Sequence, residues 1–199
     1  MKKHFSIVIL IFIVLISCTN KENPKATSPL KVSTGKSKLS WQNWQIEKGA
    51  LGPLKIGSNI SEYRNDLKGF DSVAVDAFLY KYDGGGVAYE YSYNKKPLFV
   101  LMPAIDTDSI IAVMTLHSDF KTIYGTSSGN SVARIVKQYK KLPVILDLLS
   151  GGEVMTDTVN RIKYVFDTPD DAHIAEYPDI DNPGLLKRSN TTCDWITIY

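Results

Sequence analysis

The chain has 199 residues, 44% of them hydrophobic, and its 23 basic and 21 acidic side chains give a net charge of +2. This length can bury a core without covalent staples, and two cysteines are too few for a disulfide-rich scaffold. The charge balance also lacks the basic excess of nucleic-acid-binding proteins. We therefore expect an ordinary globular domain without a nucleic-acid partner.

A short apolar segment begins the chain. Lys2 and Lys3 precede residues 6–17, SIVILIFIVLIS, which have the length of a signal-peptide core. The segment is shorter than the ~20 apolar residues that span a bilayer. It ends in Leu15-Ile16-Ser17-Cys18, which resembles the lipobox of bacterial lipoproteins.

That resemblance implies a signal peptide at residues 1–17, cleavage before Cys18 and a diacylglycerol on its thiol. Each buried acyl methylene contributes ~0.8 kcal/mol, so the lipid would anchor the protein to a membrane without spanning it. Thr19, which is not aspartate, implies sorting to the outer membrane. The alternative is an uncleaved signal anchor with an incidental cysteine.

Residues 18–40 are predicted to be the lipidated cysteine and a flexible tether. The segment is rich in Lys, Ser, Thr, Asn and Pro, and it carries five lysines against Glu22. Once Lys2, Lys3 and this tether are set aside, 16 basic and 20 acidic residues remain, so the domain at 41–199 has a net charge of −4. The tether lysines either contact an anionic membrane surface or keep a linker solvated.

Five stretches of the domain predict β-strands. Tyr89, Tyr91 and Tyr93 alternate with small or polar residues, the period-two pattern of a strand. The other predicted strands are 98–102, 110–116, 161–166 and 194–199.

Two segments, 58–67 and 130–139, predict helices. Each follows a glycine, opens with Ser or Asn as a cap and has apolar residues three and four positions apart. Aligned on Gly57 and Gly129, they match with an offset of 72 residues. Chance similarity of two amphipathic helices is the alternative.

We predict an α+β fold in which two tandem helix-plus-antiparallel-sheet units, at about 41–120 and 121–199, form one domain. The Gly-x-x-apolar-x-x-apolar helix followed by strands resembles the β-lactamase inhibitor protein and the SmpA/OmlA outer-membrane lipoproteins. The resemblance implies this fold, and it transfers no functional residue. The segment at 140–143, Lys-Lys-Leu-Pro, departs from the Gly-x-Pro that usually ends the helix in those families.

Sequence motifs for catalysis are few. The chain after Cys18 has two histidines, His117 and His173, and no Gly-x-Ser-x-Gly elbow. The hydroxyl-rich segment 124–131 is predicted to be a turn and helix cap, and Cys193 a buried, inert thiol. No cofactor is predicted.

The stretch 167–181 holds six carboxylates and no Lys or Arg. An irregular calcium site is one interpretation, since calcium takes six to eight oxygen ligands. A hydrolase site using Asp170, Asp171 and Glu176 is another. A solvated surface insertion is the interpretation that we favour.

The domain is rich in tyrosine, and the candidate binding surface is built from five of these residues. Tyr89, Tyr91 and Tyr93 share one strand face, and Tyr80 and Tyr82 are placed across a glycine turn. If the sheet face is open, these rings suit a protein interface. If the sheet face is covered, the rings belong to the core. We favour the core, because the residues on the opposite face of the strand are expected to face solvent: Ala88, Glu90, Ser92 and Asn94.

The leading functional hypothesis is a non-enzymatic, lipid-anchored envelope protein that binds a protein or a wall or glycan component. The second is a hydrolase acting on envelope polymers through carboxylates. The third is a structural or assembly role at the outer membrane, implied only by the SmpA/OmlA resemblance.

Overall fold

The computed structural model describes residues 40–82, 84–139 and 142–199, and strands dominate this part of the chain. The strands are β1 (Gln45–Glu47), β2 (Ala50–Leu51), β3 (Leu54–Lys55), β4 (Asp71–Asp76), β5 (Val87–Tyr93), β6 (Lys96–Pro103), β7 (Ile110–Thr115), β8 (Lys121–Thr122), β9 (Val144–Asp147), β10 (Gly152–Asp157), β11 (Ile162–Phe166), β12 (Ala175–Glu176), β13 (Leu185–Leu186) and β14 (Trp195–Ile198). The helix α1 spans Val132–Gln138. The five strands predicted from the sequence are confirmed as β5, β6, β7, β11 and β14.

An eight-stranded sheet forms the centre of the fold, in the order β4-β5-β6-β7-β14-β11-β10-β9. Every neighbouring pair in it is antiparallel. A four-stranded sheet has the order β3-β2-β1-β8, with β1 and β8 parallel. The third sheet pairs β12 with β13.

The main core lies between one face of the eight-stranded sheet, the small sheet and α1. Phe99 is fully buried and stacks on Tyr91, with ring centroids 5.0 Å apart. Trp44 packs on Phe99 from the small-sheet side, at 5.7 Å. Ile135 attaches α1 to the same cluster. Burial of these rings supplies the dominant stabilising term.

The opposite face of the eight-stranded sheet carries a second core. Ala88, Val100 and Met114 are buried there, and Trp195 joins the same cluster. A 3-10 turn at Ala77–Tyr80 packs on this cluster. Our expectation of a hydrated face is therefore wrong at Ala88, because the chain between β4 and β5 folds back over the sheet there. Glu90 and Ser92 are half-buried, and Asn94 is exposed.

The predicted α+β class with two helix-plus-sheet units is also wrong. The described residues are mostly β, and α1 is the one α-helix among them. Segment 130–139 does form α1, whereas 58–67 forms only a 3-10 turn at Ile60–Tyr63.

Packing explains why the two similar segments differ. In α1, Val132 and Ile135 are both fully buried, so the helix has an apolar face against the core. In the first segment only Tyr63 is buried within the turn. Asn65 and Asp66 follow, and these residues favour turns over helix interiors. Short helices need tertiary packing to persist, and the first segment has too little.

The predicted signal peptide at 1–17, Cys18 and almost all of the tether lie outside the described residues. No helix in the described ranges is both long and apolar enough to cross a membrane.

Candidate functional site: a groove at Tyr89 and Asp108

Two open depressions of about 490 and 470 Å³ share Tyr89 and Asp108. We call them together the Tyr89 groove. The first depression is formed by the β6–β7 loop, which includes Ile105, and by the start of β5. The second is formed by the 3-10 turn at Ile60–Tyr63, the chain after it, and strands β4 and β5. It is lined by Ile60, Ser61, Arg64, Leu67, Lys68, Phe70, Ser72, Tyr89, Tyr91 and Asp108.

Strand register places the aromatic rings at the groove. Tyr89 and Tyr91 project from the same face of β5, since side chains alternate along a strand. Their partners on β4 are Ala74 and Ser72, respectively. Because these two side chains are small, the rings of Tyr89 and Tyr91 are approachable from the β4 side.

Backbone hydrogen bonds fix the turn against the β6–β7 loop. The amide of Ile60 donates to the carbonyl of Asp108 at 2.9 Å, and the amide of Ile110 donates to the carbonyl of Ser58 at 2.9 Å. The side chain of Glu62 accepts from the amide of Asn59 at 3.0 Å. These bonds hold the turn beside the loop, and they position the residues that follow it at the groove.

Opposite charges line the groove without being neutralised by each other. Arg64, Lys68 and Asp108 are all exposed. Within the described residues neither cation forms an ion pair, and the Asp108 carboxylate accepts no hydrogen bond from a side chain. All three charges are therefore available to a ligand.

Tyr91 is a fixed, neutral wall of the groove. Its ring is stacked on Phe99 and is 8% exposed. Burial raises the pKa of the Tyr91 hydroxyl above its usual value, and the neighbouring Tyr89 raises it further. A tyrosine hydroxyl is already protonated at neutral pH at its ordinary pKa, so this group is a hydrogen-bond donor there.

The structure divides the five predicted tyrosines between the two sheet faces. Tyr91 is in the main core, and Tyr89 and Tyr93 pack against it. Tyr80 and Tyr82 pack against the second core instead. The five residues therefore do not form one surface, and only Tyr89 and Tyr91 line the groove.

Tyr80 has a structural partner on its own face. Its hydroxyl donates to Glu90 Oε2 at 2.5 Å, and its ring meets Trp195 edge-on at 5.9 Å. Burial is the main cause that raises the pKa of Tyr80, and the bond to Glu90 raises it further.

Asp170, Asp171 and Glu176 line one open depression of about 420 Å³ at the insertion. Asp170 is exposed at the start of a 3-10 turn that also holds Asp171. Glu176 pairs with Lys187 at 2.7 Å, and both side chains are more than half exposed. His173 Nε2 lies 3.8 Å from Asp170 Oδ1. The described residues include no group of three His, Cys, Asp or Glu side chains arranged to hold a metal ion.

Cys193 and the segment 124–131 are placed as the sequence predicts. The Cys193 thiol is 1% exposed, and burial raises its pKa well above the usual value. The Ser131 side chain caps α1 by accepting from the amide of Arg134 at 3.3 Å.

Sequence reasoning missed the charged residues of the groove and one buried acid. Arg64 and Lys68 are four residues apart in a polar segment, a spacing with no site motif around it. Asp108 belongs to a loop that reaches the groove only through the β6–β7 hairpin. Glu153 is fully buried. A single acid in the apolar stretch Gly-Glu-Val-Met could have predicted this, because such strands are buried.

Comparison with solved structures shows a fold similar to the uncharacterized protein yfeY from Escherichia coli. The match has a TM-score of 0.52 and 15% sequence identity, and it covers 77% of this chain and 98% of that one. At this identity the likeness concerns the fold alone. No protein-family model and no curated protein matches the chain.

Proposed function

We propose that this protein is a lipid-anchored envelope protein whose domain binds another envelope component, a protein or a glycan, in the Tyr89 groove. The observation that carries the proposal is the groove itself, which has an aromatic wall and exposed charges of both signs that form no ion pair with each other. Tyrosine and arginine are enriched in binding surfaces because they combine apolar area with polar donors.

The groove suits binding more than the acidic stretch suits catalysis. Tyr91 is immobilised by stacking, and Arg64 and Asp108 stand beside it as exposed opposite charges. A rigid aromatic wall costs little conformational entropy when a ligand docks, and the charges add orientation. Asp170 and Glu176 are instead solvent-facing groups on an insertion.

Attachment to the membrane is the second element of the proposal. The Leu15-Ile16-Ser17-Cys18 pattern supports acylation of Cys18, and Thr19 supports the outer membrane as the destination. The tether carries five lysines against Glu22, and the domain carries −4. Anionic lipid would attract the basic tether and repel the acidic domain, which would leave the domain accessible to partners.

The binding test is affinity capture from envelope extract with the chain from residue 19 to 199. We expect Tyr89→Ser to reduce the captured component several-fold, because the shared wall of both depressions is removed. The matched control is Tyr124→Ser, since Tyr124 is 44% exposed and lies outside the groove. Equal capture by all three proteins, or no specific capture by any, would contradict the proposal.

The anchor is tested separately by mass spectrometry of the protein isolated from membranes. We expect the amino-terminal residue to be Cys18 with a diacylglycerol and an added acyl chain. Cys18→Ser should leave an uncleaved precursor. If the protein isolated from membranes carries an unmodified Cys18, the proposed lipid anchor is wrong. The proposal that the groove binds a ligand does not depend on this result.

A further inference from the structure

Strand β4 is an open edge of the eight-stranded sheet. It pairs with β5 on one side, and it is the terminal strand on the other. In the described part of the chain, no other strand or loop pairs with its outer side. Five of its six residues are exposed. Alternate residues of an edge strand present unpaired backbone N–H and C=O groups, which form a template for another strand.

The opposite edge of the same sheet is partly covered. Val144 of β9 forms an antiparallel bridge with Gly184, whose amide donates to the Val144 carbonyl at 2.9 Å. The insertion between β11 and β14 therefore occupies the start of that edge. The contrast leaves β4 as the edge that is free to accept a strand.

The sequence of β4 carries charge only at its two ends. It is Asp-Ser-Val-Ala-Val-Asp, with no proline and no lysine, and its ladder with β5 is regular over six residue pairs. Val73 is 54% exposed on it. Such an edge is competent for pairing.

The charges of β4 disfavour a second copy of this chain as the occupant. In a pair of copies, each β4 would bring two carboxylates, Asp71 and Asp76, and no basic residue to the shared edge. Like charges brought together along a sheet edge are unfavourable, and neither strand would carry a basic residue to offset them. The same two carboxylates attract a strand with basic residues at both ends.

We propose that β4 binds an extended segment of a partner protein as a ninth strand, with basic side chains opposite Asp71 and Asp76. This inference rests on the proposed function and names the class of partner: a protein, bound by strand addition at the edge of the Tyr89 groove. Basic residues five positions apart satisfy both aspartates in either strand direction.

The groove gives the added strand its specificity. Side chains opposite Ser72 and Ala74 project on the face of Tyr91 and Tyr89, where the second depression begins. Those opposite Val73 and Val75 project on the other face, and an apolar residue there covers the exposed Val73. Main-chain hydrogen bonds supply affinity in this mode, and alternate side chains supply selectivity.

The probe is a cyclised β-hairpin peptide whose outer strand is Lys-Thr-Val-Thr-Val-Lys. Cyclisation holds the strand extended, so little ordering entropy opposes binding. We expect it to bind the chain from residue 19 to 199 and to slow hydrogen exchange at alternate amides of β4, the three that face outward. A hairpin with Glu at both ends should bind about tenfold more weakly.

Two variants separate strand addition from other modes. Val73→Lys places a protective charge on the edge and should abolish hairpin binding, whereas Val159→Lys, at a valine that is 73% exposed in a distant turn, should not. Asp71→Lys should shift the preference toward the Glu-ended hairpin. Unchanged thermal unfolding verifies that each variant is folded.

Several results would overturn the inference. They are absence of hairpin binding, protection of consecutive β4 amides or of the groove alone, and a charge preference that Asp71→Lys leaves unchanged. Self-association that Val73→Lys removes would assign the edge to a second copy instead. If Tyr89→Ser abolishes envelope capture while Val73→Lys leaves it intact, the proposed function stands and strand addition falls.

Discussion

Tyr177 donates its hydroxyl proton to Glu153 Oε1 over 2.7 Å, and Glu153 is a fully buried carboxylate. The same side chain accepts from the amides of Ile174 at 2.5 Å and Ala175 at 3.0 Å, and from the Thr168 hydroxyl at 3.0 Å. One acid in β10 therefore holds the whole start of the insertion against the sheet. Burial, aided by Glu153, raises the pKa of Tyr177, so its hydroxyl stays protonated as a donor.

Glu153→Gln should destabilise the protein by roughly 3 kcal/mol, although the side chains have the same shape. Each carboxylate oxygen accepts one backbone N–H, from Ile174 or Ala175, and a backbone donor cannot reverse. The amide NH₂ of glutamine would therefore face a donor at one of them. Urea unfolding monitored by fluorescence measures the loss.

The control for this prediction is Glu176→Gln. Glu176 pairs with Lys187 at the surface, and such pairs contribute ~0.5 kcal/mol or less. A loss at Glu153→Gln no greater than at Glu176→Gln would contradict the anchoring role.

Gly52→Ala should cost about 3 kcal/mol of unfolding free energy. Gly52 has φ +54°, and a Cβ there would overlap the Trp44 indole. The left-handed backbone alone costs about 1 kcal/mol for alanine, and overpacking against a core ring adds to it. Thermal or urea unfolding measures both terms together.

Gly49→Ala is the matched control, because Gly49 has φ +69° and nothing lies within 4 Å of a Cβ built there. We expect this change to cost only the backbone term of about 1 kcal/mol. If Gly52→Ala and Gly49→Ala lose the same unfolding free energy, overlap with Trp44 does not add to the cost of a side chain at residue 52.

The stability of the protein should decline as the pH rises above about 10. Burial is the main cause that raises the pKa of Tyr164 well above its usual value of ~10, so the folded protein keeps this hydroxyl neutral. The unfolded chain ionises it. The stabilising contribution is therefore complete below pH ~10 and is lost as the pH rises toward the folded-state pKa.

Tyr164→Phe tests this pH dependence. The variant should be less stable at pH ~8, because Thr126 Oγ1 at 2.6 Å and Tyr139 Oη at 2.9 Å lose their partner. Its stability should nevertheless decline less steeply between pH ~8 and ~10.5 than that of the parent protein. If urea unfolding shows that the free energies of the parent protein and of Tyr164→Phe decline equally with pH, the pH dependence does not come from Tyr164.

Cys193 should resist thiol reagents in the folded protein. The residue is 1% exposed, its Sγ donates to the Trp195 carbonyl at 3.0 Å, and burial raises its pKa. In the chain from residue 19 to 199 it is the single cysteine. Mass spectrometry should find no labelling by iodoacetamide at neutral pH and complete labelling in concentrated urea. Labelling of the folded protein at the rate of free cysteine would contradict its burial.

Periodicity located the strands well because burial of one strand face imposes alternation on the residues themselves. Tyr89, Tyr91 and Tyr93 share a face of β5 for this reason. Helix prediction from the same kind of pattern failed at 58–67. Apolar spacing and a cap are local properties, whereas a short helix persists only where the rest of the chain offers a surface to pack on.

The candidate site was only partly accessible to sequence reasoning. Tyr89 and Tyr91 were predicted as surface candidates, but Tyr80 and Tyr82 turned out to lie on the opposite face. Asp108 reaches the groove through strand pairing far along the chain. No local sequence pattern predicts that Asp108 lies beside Tyr89, because this proximity depends on the register and order of the strands.

Residue type and spacing were enough to predict the alternating strands, the capped helix α1, the buried Cys193 and a lipid anchor at Cys18. These follow from side-chain type and local spacing, which act over a few residues. Local spacing does not show that Ala88 is buried, that Glu153 holds the insertion or that β4 is an open edge. Each of these depends on which strand lies beside which, and that order minimises exposed apolar area and unpaired backbone over the whole chain at once.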